Sequence, residues 1–113
     1  MLLSHDGKRP RIHNSAYIAP NATICGDVTI GARCRIMFGA CVIAEGEPIA
    51  IGDDCVVMEH AVIRSTDQHQ MTVGKHCLIG PQAHLVGCAL DDCVFIATGA
   101  TVLHGARLRF NVE

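Results

Sequence analysis

Histidine and cysteine are the residues of this 113-residue chain best suited to bind a metal or to act as a nucleophile, and each occurs seven times. Imidazole nitrogens and thiolate sulfurs are common ligands of zinc and other transition metals. The cysteines form no Cys-x-x-Cys pair, a spacing typical of structural zinc sites. Their number is odd, and we expect free thiols that pack as small hydrophobic side chains.

A six-residue repeat indicates the elements that position these side chains. Fifteen aliphatic residues share one position of the repeat, with register shifts at residues 44–48 and 65–72 and a one-residue deletion before the thirteenth. In chain order they are Ile12, Ile18, Ile24, Ile30, Ile36, Val42, Ile51, Val57, Ile63, Val73, Ile79, Leu85, Leu90, Ile96 and Val102. The fourth residue after each is small except Asp67, and this class includes Gly46 and three cysteines, Cys34, Cys55 and Cys77.

A period of six fits neither an amphipathic helix nor an alternating strand, but it fits a solenoid of short strands and tight corners. Three hexapeptides close one triangular coil, so fifteen repeats give about five coils. We therefore predict an all-β fold, a parallel β-helix that forms a single domain over residues 1–113, with a lead-in at residues 1–10.

Residues three repeats apart stack in columns along such a solenoid. One column contains Asp54, His76 and Cys93, which could form a metal site or a Cys–His–Asp nucleophilic arrangement. The alternative, which we favour, is that all three are solvated residues at a corner, where polar side chains are common.

Composition limits the partners of the protein. The formal net charge is −2, so no basic surface for nucleic acid is expected. No stretch of about 18 apolar residues predicts a membrane span. The first ten residues turn polar after three positions, unlike a secretory signal, and we expect a cytoplasmic protein.

Two stretches resemble the gamma-class carbonic anhydrases, a family of left-handed hexapeptide-repeat β-helices. They are IGARCRIMFGACVIAEGEPIAIGDDCVVMEHAVIRS at residues 30–65 and VGKHCLIGPQAHLVGCALDDCVFIATGATVLHGA at residues 73–106. The resemblance covers residues 10–108 and implies a left-handed helix and a homotrimer. Members of the family continue into a long C-terminal helix, which we do not expect within these 113 residues.

The resemblance also locates the family's metal site. Three histidines there bind zinc, iron or cobalt, and the metal activates a water that attacks carbon dioxide. Their places in this sequence hold Arg64, Pro81 and Val86, none of which is a metal ligand. The family's supporting arginine and glutamine fall at Ile43 and Met58. We therefore expect no metal cofactor and no hydratase activity.

The two acidic places of the family site keep their charge, as Glu45 and Glu59. Arg64 could bind a small anionic ligand, or it could form an ion pair with one of these glutamates, the interpretation that we favour. Residues 43, 64, 86 and 103 should form one mostly apolar column around it. The predicted pocket comprises Ile43, Glu45, Met58, Glu59, Arg64, Pro81 and Val86. The resemblance implies that it lies at a subunit interface, because one ligand of the family site comes from the adjoining subunit of the trimer.

Three functions follow from the resemblance. The first is a structural or ligand-binding homotrimer without catalytic activity. The second is an acyltransferase or an acyl-CoA thioesterase, as other hexapeptide-repeat proteins are. The third is an active carbonic anhydrase with an improvised metal site. We rank them in that order, because the family's ligands are absent.

Overall fold

The computed structural model describes residues 1–110, which form seventeen short β-strands and no helix. The strands are β1 Leu2–Leu3, β2 Arg11–Ile12, β3 Tyr17–Ile18, β4 Thr23–Cys25, β5 Val28–Ile30, β6 Arg35–Ile36, β7 Cys41–Ala44, β8 Ile49–Ile51, β9 Val56–Val57, β10 Val62–Ser65, β11 Met71–Val73, β12 Leu78–Ile79, β13 His84–Val86, β14 Ala89–Leu90, β15 Phe95–Ile96, β16 Thr101–Val102 and β17 Arg107–Leu108. The described residues therefore contain no helix of the length and hydrophobicity needed to cross a membrane.

The strands form the three faces of a triangular prism, and every strand pair is parallel. Face 1 has the strand order β1-β4-β7-β10-β13-β16, face 2 has β2-β5-β8-β11-β14-β17, and face 3 has β3-β6-β9-β12-β15. Each strand pairs with the strand three places along the chain, so one coil contributes one strand to each face. This confirms the predicted parallel β-helix of about five coils.

The repeat aliphatic residues point into the prism and form one continuous core. Ile63, at the centre of face 1, is fully buried between Val42 and Leu85 of the neighbouring coils. At the two ends of the prism, Ile12 and Val102 are only partly buried. The core is therefore most completely packed in the middle coils.

The inward positions differ from the prediction on face 2. Gly46 was predicted to be a small corner residue but is exposed, because residues 45–47 bulge out of the coil. The inward place is taken by Ile49, and in the next coil Met71 does the same after the loop at residues 66–70. Both side chains are fully buried, two residues before an aliphatic residue of the repeat.

The lead-in also belongs to the solenoid. Leu2 and Leu3 pair in register with Ile24 and Cys25, which adds a strand to the edge of face 1. At the other end, Leu108 lies six residues beyond Val102 and is partly buried against the core. It therefore continues the row of inward-pointing aliphatic residues, called the inward row below. The repeat thus extends one strand further in each direction than the fifteen aliphatic positions indicate.

Candidate functional site

Arg64 lies near the end of β10 on the outer surface of face 1. In strand register it has Ile43 on one side and Val86 on the other, as the predicted column requires. Its guanidinium forms an ion pair with the carboxylate of Glu45, which directly follows β7. Each of the two side chains is 42% exposed, so the pair lies on an apolar surface strip and remains in contact with water.

The other acidic residue of the predicted pocket, Glu59, lies elsewhere. It occupies the corner between faces 3 and 1, where its main-chain carbonyl accepts a hydrogen bond from the Gln82 amide at 3.0 Å. Met58 and Pro81 lie at the same corner, and the Pro81 carbonyl accepts a hydrogen bond from Gly99. This corner precedes the strands of face 1, whereas Arg64 lies close to their carboxyl ends.

The seven predicted pocket residues therefore divide into two groups within one chain. Ile43, Glu45, Arg64 and Val86 lie at the carboxyl ends of the face 1 strands. Met58, Glu59 and Pro81 lie at the corner where those strands begin. The residues between them, Val62 and His84, are in register on the surface of face 1.

The column of Asp54, His76 and Cys93 forms the corner between faces 2 and 3. All three residues have positive φ, between 57° and 59°. The Asp54 carboxylate accepts two hydrogen bonds from the guanidinium of Arg33, at 2.7 and 3.0 Å, and this interaction lowers the pKa of Asp54. His76 Nε2 is 4.0 Å from the same carboxylate.

Arg33 is the member of this column that the prediction missed, although it lies one coil before Asp54 with the same positive φ. Its presence satisfies the Asp54 carboxylate, and the His76 side chain is 63% exposed. Within residues 1–110 no group of three histidine, cysteine, aspartate or glutamate side chains converges to hold a metal ion. The column forms a set of corner residues at the surface.

Three stacked cysteines have the packing role expected of them. The thiols of Cys34, Cys55 and Cys77 are buried and donate hydrogen bonds to main-chain carbonyls of neighbouring turns, at 2.9, 2.9 and 3.1 Å. Contact with the thiols of Cys34 and Cys77, together with burial, raises the pKa of Cys55. Burial also raises the pKa of Cys88 to about 11, so this thiol stays protonated at neutral pH.

A pair of histidines at the corner between faces 1 and 2 did not emerge from the sequence. The rings of His69 and His104 stack with their centroids 5.0 Å apart and their planes 13° from parallel. The hexapeptide period places residue 104 in a column with Gly87, but it cannot place residue 69, which lies in the loop that interrupts the repeat.

Comparison with known proteins agrees with this architecture. Residues 9–44 match the bacterial transferase hexapeptide family, described as six repeats. The structure resembles that of a candidate acetyltransferase of Bacillus cereus, with a TM-score of 0.84 and 26% identity over 98% of this chain and 75% of the other. The fold and its repeat define a hexapeptide-repeat β-helix protein.

Relatives in sequence show which family of hexapeptide-repeat proteins this chain belongs to. Gamma carbonic anhydrase 1 of Arabidopsis thaliana mitochondria is 30% identical over 104 residues, 87% of this chain and 38% of the relative. Dynactin subunit 6 of Xenopus tropicalis is 38% identical over 71 residues, 58% of this chain and 35% of that protein. This chain belongs to the gamma carbonic anhydrase-like family, and it spans less than two-fifths of the length of these two relatives.

Proposed function

We propose that this chain is a non-catalytic member of the gamma carbonic anhydrase-like family, with a structural or small-ligand-binding role. The observation that carries the proposal is the ion pair between Arg64 and Glu45, on the strand position where the family places a metal ligand. A guanidinium has no lone pair for a metal and is positively charged at all physiological pH values. The cation that balances Glu45 is thus a side chain of the protein.

The other two family ligand positions do not fit a metal either. Pro81 has no side-chain donor atom, and Val86 presents an isopropyl group beside Arg64. The three family ligand positions therefore supply no atom that binds a metal ion, so the hydratase mechanism of the family has no counterpart in these residues. The proposed function accordingly involves no metal cofactor at the family's site.

The proposed assembly is a homotrimer in which faces 1 and 3 meet between neighbouring subunits. The outer row of face 3 has Tyr17, Val56, Leu78 and Phe95 in strand register, interrupted by Arg35. Tyr17 and Phe95 are 43% and 44% exposed, which is unusual for a surface that stays in water. A heterologous contact of this kind closes into a ring when the rotation is threefold.

Face 2 has a different surface, which makes it the outside of the proposed trimer. Its outer row reads Arg11, Thr29, Ala50, Thr72, Ala89 and Arg107 in register. Face 1, by contrast, buries the Nε2 atom of His84 without a hydrogen-bond partner in the described residues. A buried unpaired ring nitrogen is unfavourable, and a polar group of an adjoining subunit would satisfy it only if the His84 ring turned outward on assembly.

The division of the predicted pocket residues into two groups also supports assembly. In a trimer, the corner of one subunit with Met58, Glu59 and Pro81 would face the Arg64–Glu45 pair of the next. Such an interface pocket would combine the Arg64–Glu45 pair and Glu59 with an apolar wall, so a small anionic ligand such as a carboxylate would bind by displacing Glu45 from the guanidinium. Reduced thiols throughout the chain fit the proposed cytoplasmic location.

Light scattering of two matched variants tests the assembly. Val62→Asp places a charge on face 1 and should convert the trimer to monomers, because an unpaired charge would be buried at the interface. Thr72→Asp changes a half-buried residue at the same depth on face 2 and should leave the trimer intact. Equal behaviour of the two variants would contradict the proposed arrangement of faces.

Carbon dioxide hydration tests the loss of catalysis. The purified chain, assayed with added zinc, cobalt or iron(II) in turn, should show the rate of the buffer alone. A metal-dependent rate that disappears in Arg64→Ala would show that this position still belongs to a hydratase site, and the proposal would fail.

A second function, acyl transfer from coenzyme A, is favoured by the structural similarity to the candidate acetyltransferase. It predicts saturable binding of acetyl-coenzyme A to the assembled protein, which the non-catalytic proposal does not. Calorimetry with acetyl-coenzyme A separates the two. Binding accompanied by acetyl transfer to a small amine would favour the transferase.

A further inference from the structure

The His69–His104 pair stands apart from the family's site, on the corner between faces 1 and 2. Neither imidazole forms a side-chain hydrogen bond or an ion pair within the described residues, although the two rings are only 5.0 Å apart. Two imidazoles side by side at a surface provide two nitrogen ligands of the kind that zinc, copper and nickel prefer.

The pair is held in place by the backbone around it. The Thr66 amide donates to the His69 carbonyl at 3.0 Å, and the His69 amide donates to Thr66 Oγ1 at 3.0 Å, so the loop closes into a tight turn. Gly87 lies between the two histidines at a φ of +57°. A Cβ atom there would lie 2.7 Å from His69 Cβ and 3.1 Å from His104 Cβ, so the two histidines approach each other where Gly87 has no side chain.

The separation of the rings suits a shared ion. An imidazole nitrogen binds zinc at about 2.0–2.1 Å, which places the ring centre roughly 3.2 Å from the ion, and two such rings at a tetrahedral angle stand about 5.2 Å apart. The observed 5.0 Å belongs to the stacked arrangement, so it shows that the two histidines are near enough to share an ion once a ring turns, and not that they already have the geometry of the complex. The near-parallel planes mean that one ring must rotate for both nitrogens to point at the same ion.

The surroundings favour a cation. A cleft of about 340 Å³ beside the pair is lined by Thr66, Asp67 and Gln68 together with both histidines. Asp67 contributes a negative charge to it. Arg107, a cationic side chain that lines a neighbouring cleft together with His69, forms an ion pair with Asp91 at 2.7 Å. The cleft is open, so water can complete the coordination of an ion held by two imidazoles.

We propose that His69 and His104 form a binding site for one divalent transition-metal ion per chain, in the class of zinc, copper and nickel. The site uses two protein nitrogens and lies outside the positions of the family's metal ligands. It requires no change in the fold, only the rotation of an imidazole at the surface. Because a protonated imidazole cannot bind a metal, the affinity should fall as the solution becomes acidic.

The test uses the whole chain, without an affinity tag and freed of metal. Calorimetry with Zn²⁺ alone should give one ion per chain, and electron paramagnetic resonance with Cu²⁺ alone should show coupling to two nitrogens. His69→Gln and His104→Gln should each weaken Zn²⁺ binding at least about tenfold, the lower end of what loss of even a supporting partner costs a metal site.

His76→Gln is the matched control, because His76 is an exposed histidine on a different corner. It should leave the Zn²⁺ affinity unchanged, and far-ultraviolet circular dichroism should show the same fold in all three variants. The proposal is wrong if the native chain binds no Zn²⁺, if binding survives in the His69→Gln and His104→Gln variants, or if His76→Gln weakens it as strongly. These results do not depend on whether the chain hydrates carbon dioxide.

Discussion

Replacing one core isoleucine in the middle of the prism should cost far more stability than replacing one at its end. Ile63 is fully buried, and its strand pairs on both sides, so its side chain stacks between Val42 and Leu85. Ile12 is partly exposed on β2, the edge strand of face 2, and pairs only with Ile30. Ile63→Ala and Ile12→Ala remove the same three carbon atoms from these two environments.

The magnitudes follow from burial. At about 0.8 kcal/mol per buried carbon, Ile63→Ala loses roughly 2.4 kcal/mol of transfer free energy. The cavity left between two fixed coils adds to this, and we expect a total of about 3–4 kcal/mol. Ile12→Ala loses only part of the transfer free energy, because Ile12 is partly exposed, and it leaves a groove open to water instead of a cavity. We therefore expect a loss of about 1 kcal/mol in the free energy of unfolding.

Urea unfolding followed by circular dichroism measures both values. The variants should be compared at one chain concentration, because association contributes to apparent stability. The slope of free energy against urea should remain that of the native chain, since both variants expose the same surface on unfolding. Equal losses for the two variants, or a larger loss for Ile12→Ala, would refute the description of a core that is tightest in its middle coils.

Three other substitutions test particular contacts. The hydrogen bond from Arg11 lowers the pKa of Asp27 below its usual 3.8, so the stabilisation is present above the unfolded-state pKa and is lost as the pH falls through the folded-state pKa. Asp27→Asn should therefore cost up to about 1 kcal/mol at pH 7 and nothing in strong acid, measured by urea unfolding at both pH values. Cys55→Leu should cost about 1–3 kcal/mol in the same assay, because the extra carbons have no space in the buried thiol column. Gly87→Ala should cost about 1–2 kcal/mol for its positive φ and should also weaken Zn²⁺ binding by displacing His69, seen by calorimetry.

The sequence was sufficient to predict the coils because the repeat is dictated by the inward row. Each residue that faces the shared core, such as Ile63, must be aliphatic. The spacing of these residues is therefore visible in the sequence as a six-residue period. The stacking of Arg64 beside Val86 then follows from the period alone, and the structure has both in register.

Interruptions of the repeat limited the prediction. The repeat resumes at Val73, as predicted, but Met71 also enters the core directly after the loop at residues 66–70, and the period does not indicate that second buried residue. The same loop carries His69 against His104, a contact between residues 35 positions apart that depends on the path of the loop. Arg33 was missed for another reason. The column was followed from Asp54 to His76 and Cys93 in the later coils, whereas Arg33 lies one coil before Asp54.

The candidate site, too, has a part that the repeat predicts and a part that it does not. The Arg64–Glu45 ion pair joins two neighbouring coils of one face, and charge together with stacking made it predictable. Pro81 lies at the opposite end of the face 1 strands from Arg64. The repeat period alone does not indicate this separation, whereas the resemblance implies it, because one ligand of the family site comes from the adjoining subunit.

Metal content of the His69→Gln/His104→Gln double variant tests the central claim most directly. The protein should be purified anaerobically without chelators or a histidine tag, and its zinc, iron and cobalt measured by mass spectrometry per chain. Our account predicts a ratio near zero, because the Arg64–Glu45 pair occupies the family's metal position and the two histidines of the proposed zinc site have been replaced. A stoichiometric transition metal in this variant would contradict it.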